Sequence, residues 1–139
     1  MKFLLLLLVS ATLLVMVVRT GRVKRVVGGR KTKAHKYPWL VFLETLDGRG
    51  EEGRCGGTII HPRHILTAAH CLMDSCGNIV RKVKVHLGAQ DVCEEDWSGT
   101  HLVRPARFIF HPGYNPQTDE NDIAILRLKR DIRFGAKVG

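Results

Sequence analysis

Several absences narrow this chain. No segment sustains an amphipathic helical period, which leaves short strands as the building blocks. No internal repeat or low-complexity tract follows the leader. Neither Cys-x-x-Cys nor a His-x-x-x-His pair occurs, so the common zinc-ligand spacings are missing. There is no Asn-x-Ser/Thr acceptor, so N-glycosylation is not expected. The longest uncharged apolar run, Phe3 to Val18, falls short of the roughly 20 residues that a membrane-crossing helix needs.

That run follows Met1-Lys2 and ends at Arg19, the layout of a cleaved secretory signal rather than an anchor. We expect a signal peptide over 1–20, a short basic propeptide over 21–25 ending in Arg22-Val23-Lys24-Arg25, and one domain over 26–139. The compact basic run makes Arg25–Val26 the expected processing bond. Five of the 22 Lys+Arg and none of the 13 Asp+Glu lie in this leader, so more than half of the formal +9 leaves with it. The remaining basic residues are scattered and not interleaved with aromatics, which argues against a nucleic-acid partner. No membrane partner is expected once the signal is gone. All four cysteines, Cys55, Cys71, Cys76 and Cys93, follow the leader. An even count behind a signal favours disulfides over metal thiolates and allows three pairings.

Beyond Gly29 the chain reads as short strands between turns. Trp39–Leu46 is an apolar run introduced by Pro38. Gly56–Ile60 and Ile65–Thr67 flank a turn at His61-Pro62-Arg63. Val83, Val85 and Leu87 alternate with Lys82, Lys84 and His86, the period of a half-buried strand. Leu102-Val103, Phe108–Phe110 and Ile123–Leu128 complete the set, with Pro105 expected at an edge or bulge. Six or so short strands at this spacing predict an all-β barrel or sandwich.

Two segments carry chemistry. Leu66-Thr67-Ala68-Ala69-His70-Cys71 sets a histidine on small residues that let the backbone turn tightly. The other histidines, His35, His61, His64, His86, His101 and His111, lack such a setting and read as surface or turn residues. Asn121-Asp122-Ile123-Ala124-Ile125-Leu126 places an aspartate at the mouth of an apolar run. An imidazole steered by a carboxylate is the general-base half of a nucleophilic hydrolase.

These two segments, in order after Val26-Val27-Gly28-Gly29, resemble landmarks of the trypsin/chymotrypsin-like serine endopeptidases. Tyr37-Pro38-Trp39, Leu87-Gly88-Ala89-Gln90 and His111-Pro112-Gly113-Tyr114-Asn115 extend the resemblance to the end of the chain. The resemblance implies the first of two antiparallel Greek-key β-barrels, with His70 as general base and Asp122 as the carboxylate that fixes its tautomer. It also implies a Cys55–Cys71 disulfide, which leaves Cys76 and Cys93 to pair. Some members hold Ca²⁺ near the position of Glu94, Glu95 and Asp96. Here Ala89 and Gln90 stand where those members carry acidic residues, so a solvated loop and no cofactor are expected.

No Gly-Asp-Ser-Gly-type stretch occurs in the chain. The resemblance therefore implies a secreted endopeptidase represented by its N-terminal part, inactive alone, because the serine, oxyanion hole and specificity pocket are not among these residues. Its expected partners are protein or peptide substrates, the missing C-terminal barrel and protease inhibitors. A non-catalytic, protease-derived binding module is the alternative. A cationic protein for acidic membranes or polysaccharides ranks last, because much of the charge belongs to the leader.

Overall fold

The computed structural model describes residues 32–89 and 101–139, with backbone alone for 101–103. The expected signal peptide, the propeptide, the Arg25–Val26 bond, Cys93 and the acidic cluster at 94–96 lie outside these residues. No helix among the described residues is long and apolar enough to cross a membrane.

Seven strands and one short 3₁₀ turn are found among the described residues of the Lys33–Gly139 unit. They are β1 (Leu40–Leu46), β2 (Glu52–His61), β3 (His64–Thr67), the turn His70–Leu72, β4 (Lys82–Leu87), β5 (His101–Val103), β6 (Pro105–Phe110) and β7 (Ala124–Leu128). Alternation sets the faces. Val41, Leu43 and Thr45 of β1 are buried, as are Ala124, Leu126 and Leu128 of β7, while the residues between them are more exposed. Leu43, Ile65, Leu72, Val85, Leu87 and Leu126 are the largest fully buried side chains. Each contributes roughly 1.5–3 kcal/mol by leaving water.

All pairings are antiparallel, in the order β5-β4-β1-β2-β3-β7-β6. Strands β1, β2 and β3 run as a meander, and β4 returns to lie beside β1, the 4-1-2-3 arrangement of a Greek key. Strands β5 and β6 stand at opposite ends of that order, yet only Arg104 separates them in sequence. One residue cannot span a flat seven-stranded sheet, whose neighbouring strands lie about 4.8 Å apart. The sheet must therefore curl until its ends meet, and β5 and β6 act as one bent strand of a barrel. Pro105 sits at that bend. Pro105 opposes Leu128 while Arg107 opposes Arg127, so the register shifts there, which is where a residue without an N–H is tolerated.

Two differences from the sequence reading have physical causes. Strand β2 begins at Glu52, earlier than the apolar run at Gly56, because Glu52, Gly53 and Arg54 pair with Leu46, Thr45 and Glu44 of β1. A Cβ at Gly53 would collide with Thr45 Oγ1, so the glycine that reads as a breaker permits the pairing. His86 is not a surface residue. It is buried at 6 % exposure on β4, its Nε2 lies 3.0 Å from Glu44 Oε2, and its ring tilts against Phe42. Burial pushes the Glu44 carboxyl up, but His86 and Lys84 outweigh it and hold the group below its ordinary value.

Gly57 and Gly56 form a matched pair for testing the packing. A Cβ on Gly57 would come within 3.0 Å of Ile65 Cγ2, Val41 Cγ2 and the Leu66 carbonyl, whereas a Cβ on Gly56 meets nothing within 4 Å. Gly57→Ala is expected to cost about 1–3 kcal/mol by overpacking. Gly56→Ala should be neutral or mildly stabilising. Urea unfolding of the two variants against the parent measures the difference.

Candidate active site

The route to His70 begins in β3. Thr67, buried at the end of that strand, donates from Oγ1 to the Gly56 carbonyl at 2.8 Å and fastens β3 to β2. The chain then turns through Ala69, which is fully buried. Leu72 N–H donates to the Ala69 carbonyl at 2.9 Å and Met73 N–H to the His70 carbonyl at 3.2 Å, closing the 3₁₀ turn. Leu72 plugs into the core beneath it. The Cys55–Cys71 disulfide implied by the resemblance is formed, with the Cα atoms 6.1 Å apart. It fastens the His70 turn to β2, and closing a loop of this size contributes roughly 3 kcal/mol.

Asp122 arrives from the loop between β6 and β7. Ile123 N–H donates to the Asn121 carbonyl at 2.7 Å, a three-residue turn with Asp122 at its centre. Asn121 adopts a positive φ of 56° and its side-chain amide donates to the Gly113 carbonyl at 2.9 Å. Asparagine tolerates that conformation better than most residues. Asp119, two residues earlier, has a φ of 55°. Immediately after the turn, Ala124 enters the core and pairs with Thr67 of β3. The loop is thereby held against the strand that leads to His70.

The two segments meet at one carboxylate. Asp122 Oδ2 lies 2.7 Å from His70 Nδ1, and Asp122 Oδ1 accepts the His70 backbone N–H at 2.8 Å. The carboxylate is mostly shielded, at 23 % side-chain exposure, while the imidazole stands out at 59 %. Burial pushes the Asp122 carboxyl up, but the hydrogen bonds from the His70 ring and backbone N–H, with the charge on His70, hold it below its ordinary value. With Nδ1 committed to Asp122, Nε2 is the nitrogen left for proton transfer. Among the described residues it touches only the Cys71 sulfur at 3.5 Å, a weak partner.

Tyr114 stacks on Phe110 beside this pair. Burial raises its phenol, and the charges of Asp122 and Asp119 raise it further. No letter of the sequence marks the His70 amide as a donor, because backbone groups leave no trace in it. The preference of Asn121 for positive φ was the available clue.

One cluster has the composition of a metal site: Cys55, His70 and Cys71 place donor atoms within 4.8 Å of one another. The two sulfurs are bonded to each other, so no thiolate remains to ligate an ion. Cys76 stands apart from this cluster. It is exposed and bonded to no described cysteine, and its expected partner Cys93 lies outside the described residues; Asp74 Oδ1 accepts the N–H groups of Cys76 and Asn78 in this turn.

The shift at Asp122 fixes the sign of a pH effect. A depressed carboxyl contributes stability that is present above its unfolded value, about 3.9, and is lost as pH falls through the folded one. Asp122→Asn is therefore expected to lower stability by roughly 1–3 kcal/mol near neutrality. The gap from the parent should close below about pH 4. Chemical denaturation at a series of pH values gives the comparison.

Comparison with known proteins fits this geometry. The Trypsin family model matches residues 26–139. The chain is 37 % identical over 127 residues to CLIP domain-containing serine protease B4 of Anopheles gambiae, covering 82 % of this chain and 34 % of that protein. It is 36 % identical over 114 residues to cathepsin G of Mus musculus, covering 82 % of this chain and 40 % of that protein. The solved structure of GrC superposes with a TM-score of 0.69 at 31 % identity, over 81 % of this chain and 46 % of that one. The chain thus spans less than half the length of these relatives, and its curled antiparallel sheet corresponds to one β-barrel of the chymotrypsin-like fold. On the match that runs from Val26 to Gly139, the chain belongs to the Trypsin family of serine proteases.

Proposed function

We propose that this chain supplies the general base and its orienting carboxylate to a secreted serine endopeptidase, with His70 as base and Asp122 as orienter. The observation that carries the proposal is the pair of contacts from one carboxylate to the ring and to the main-chain N–H of the same histidine. A carboxylate on Nδ1 places the proton there, leaves the Nε2 lone pair free to accept the proton of an alcohol nucleophile, and stabilises the imidazolium that results. Asp122 keeps its charge throughout, consistent with a carboxyl held below its ordinary value.

The nucleophile comes from sequence outside these 139 residues, in keeping with the share of each relative that the chain covers. That further sequence also supplies the oxyanion donors and the pocket that selects the substrate residue. Exposed Trp39, Leu40 and Phe134 are apolar surface that a second barrel would remove from water. Cleavage after Arg25 frees the Val26 amino group, whose partner again belongs to the remaining sequence. Substrates are proteins or peptides, and protease inhibitors are partners of the assembled site. The leader directs secretion. No resident cofactor is assigned.

The alternative, a binding module derived from a protease, gains nothing from a solvent-facing imidazole held by a shielded carboxylate. The retained pair favours the catalytic reading.

In the protein extended by its downstream sequence, His70→Ala is expected to lower kcat on a peptide ester by about 10⁶-fold. Asp122→Asn should lower it by about 10⁴-fold. The 139-residue chain by itself should show no turnover. Activity of the extended His70→Ala protein within tenfold of the parent would remove His70 from the mechanism.

A further inference from the structure

The basic residues that look scattered along the sequence are collected by the strand register. His61 of β2 opposes His64 of β3, His64 opposes Arg127 of β7, and Arg127 opposes Arg107 of β6. Directly opposed residues share a face of the sheet. This row faces outward, because its neighbours Ile65 and Leu126 are buried while His61, Arg107 and Arg127 are exposed. Just past the end of β7, exposed Lys129 donates its N–H to the carbonyl of exposed Arg104 at 3.5 Å. Four adjacent strands thus place histidine or arginine side by side across roughly 14 Å.

The row works against the fold. Arg107 and Arg127 are like charges in direct cross-strand opposition, a destabilising arrangement. Neither forms an ion pair with a described residue. Asp131, the acid that follows β7, is engaged by Arg63 in the β2–β3 turn. The His61 and His64 rings sit against each other, with their Nδ1 atoms 3.2 Å apart. Two imidazole nitrogens at this spacing could also bracket a transition-metal ion, but His61 Nδ1 already accepts the Arg63 N–H at 3.1 Å. The arginines alongside repel a cation as well. An anion relieves the strain that a metal would increase.

We propose that this face binds a linear sulfated polysaccharide, whose sulfates lie along the row His61–His64–Arg127–Arg107. A nucleic acid would want aromatic rings on which to stack its bases. The outward row next to the cations is aliphatic, Leu66, Ile125 and Ile109, and the aromatic residues of β6, Phe108 and Phe110, pack against the core instead. The surface therefore offers charge without a stacking platform. It does not depend on His70 or Asp122, so its success or failure leaves the catalytic reading untouched.

The test uses the whole chain with heparin as the probe, and with unsulfated hyaluronan and single-stranded DNA as comparators, titrated at several salt concentrations. Heparin is expected to bind at least tenfold more tightly than either comparator. The double variant Arg107→Ser/Arg127→Ser should weaken heparin binding tenfold or more and flatten the log–log salt dependence by about two ions. Lys82→Ser, an exposed change on β4, should leave both unchanged. Arg127→Glu separates binding from folding, because it makes the cross-strand pair with Arg107 attractive. Its melting temperature should rise while heparin affinity falls. Equal heparin affinity in the double variant and parent would overturn the proposal, as would an equal loss in Lys82→Ser or DNA binding as tight as heparin binding.

Discussion

Both oxygens of the Asp122 carboxylate are used on one residue, the ring and the backbone N–H of His70. A single contact would leave the imidazole free to swing about its own bonds. Two contacts fix the ring relative to the turn that bears it. The pair joins segments 52 residues apart in sequence, so it can form only after the strands on either side are in register. Because the carboxylate is shielded, its charge must be satisfied within the protein, and the ring and backbone N–H of His70 do so. The site is a requirement of folding as much as of chemistry.

The barrel supplies that register. Thr67 and Ala124 are paired residues at neighbouring strand ends, one leading into His70 and the other leading out of Asp122. Curling the sheet through Arg104 leaves the middle strands without slack, and the Cys55–Cys71 bridge fastens the histidine turn from the other side. Gly57 allows the close approach of β2 to β1 and β3. The same register that builds the site sets a row of histidine and arginine on the outer face of β3, β7 and β6. One set of pairings therefore carries two chemistries on separate surfaces.

Much of this was legible in the letters. Alternation in Lys82–Leu87, the turn at Pro62-Arg63 and the bend at Pro105 each follow from rules of period or of missing donors, and the strands form there. His70 and Asp122 stood out because small residues and an apolar run surround them. Other features depend on partners distant in sequence. Glu52-Gly53-Arg54 has no apolar pattern and becomes a strand only because β1 pairs with it. His86 reads as a polar position on a half-exposed strand, and its burial beside Glu44 requires knowing what β1 sets opposite. Cys76 is exposed in its turn, and the bridge expected by elimination depends on Cys93, which lies outside the described residues. The cationic row is invisible until four strands are aligned.

The most direct measurement is the tautomer of His70 in solution, read from long-range nitrogen–proton correlation of the ring at a pH where the imidazole is neutral. The account predicts a proton on Nδ1, with a strongly downfield-shifted resonance that disappears in Asp122→Asn. A proton on Nε2 in the parent protein, or a ring averaging freely between tautomers, would contradict it.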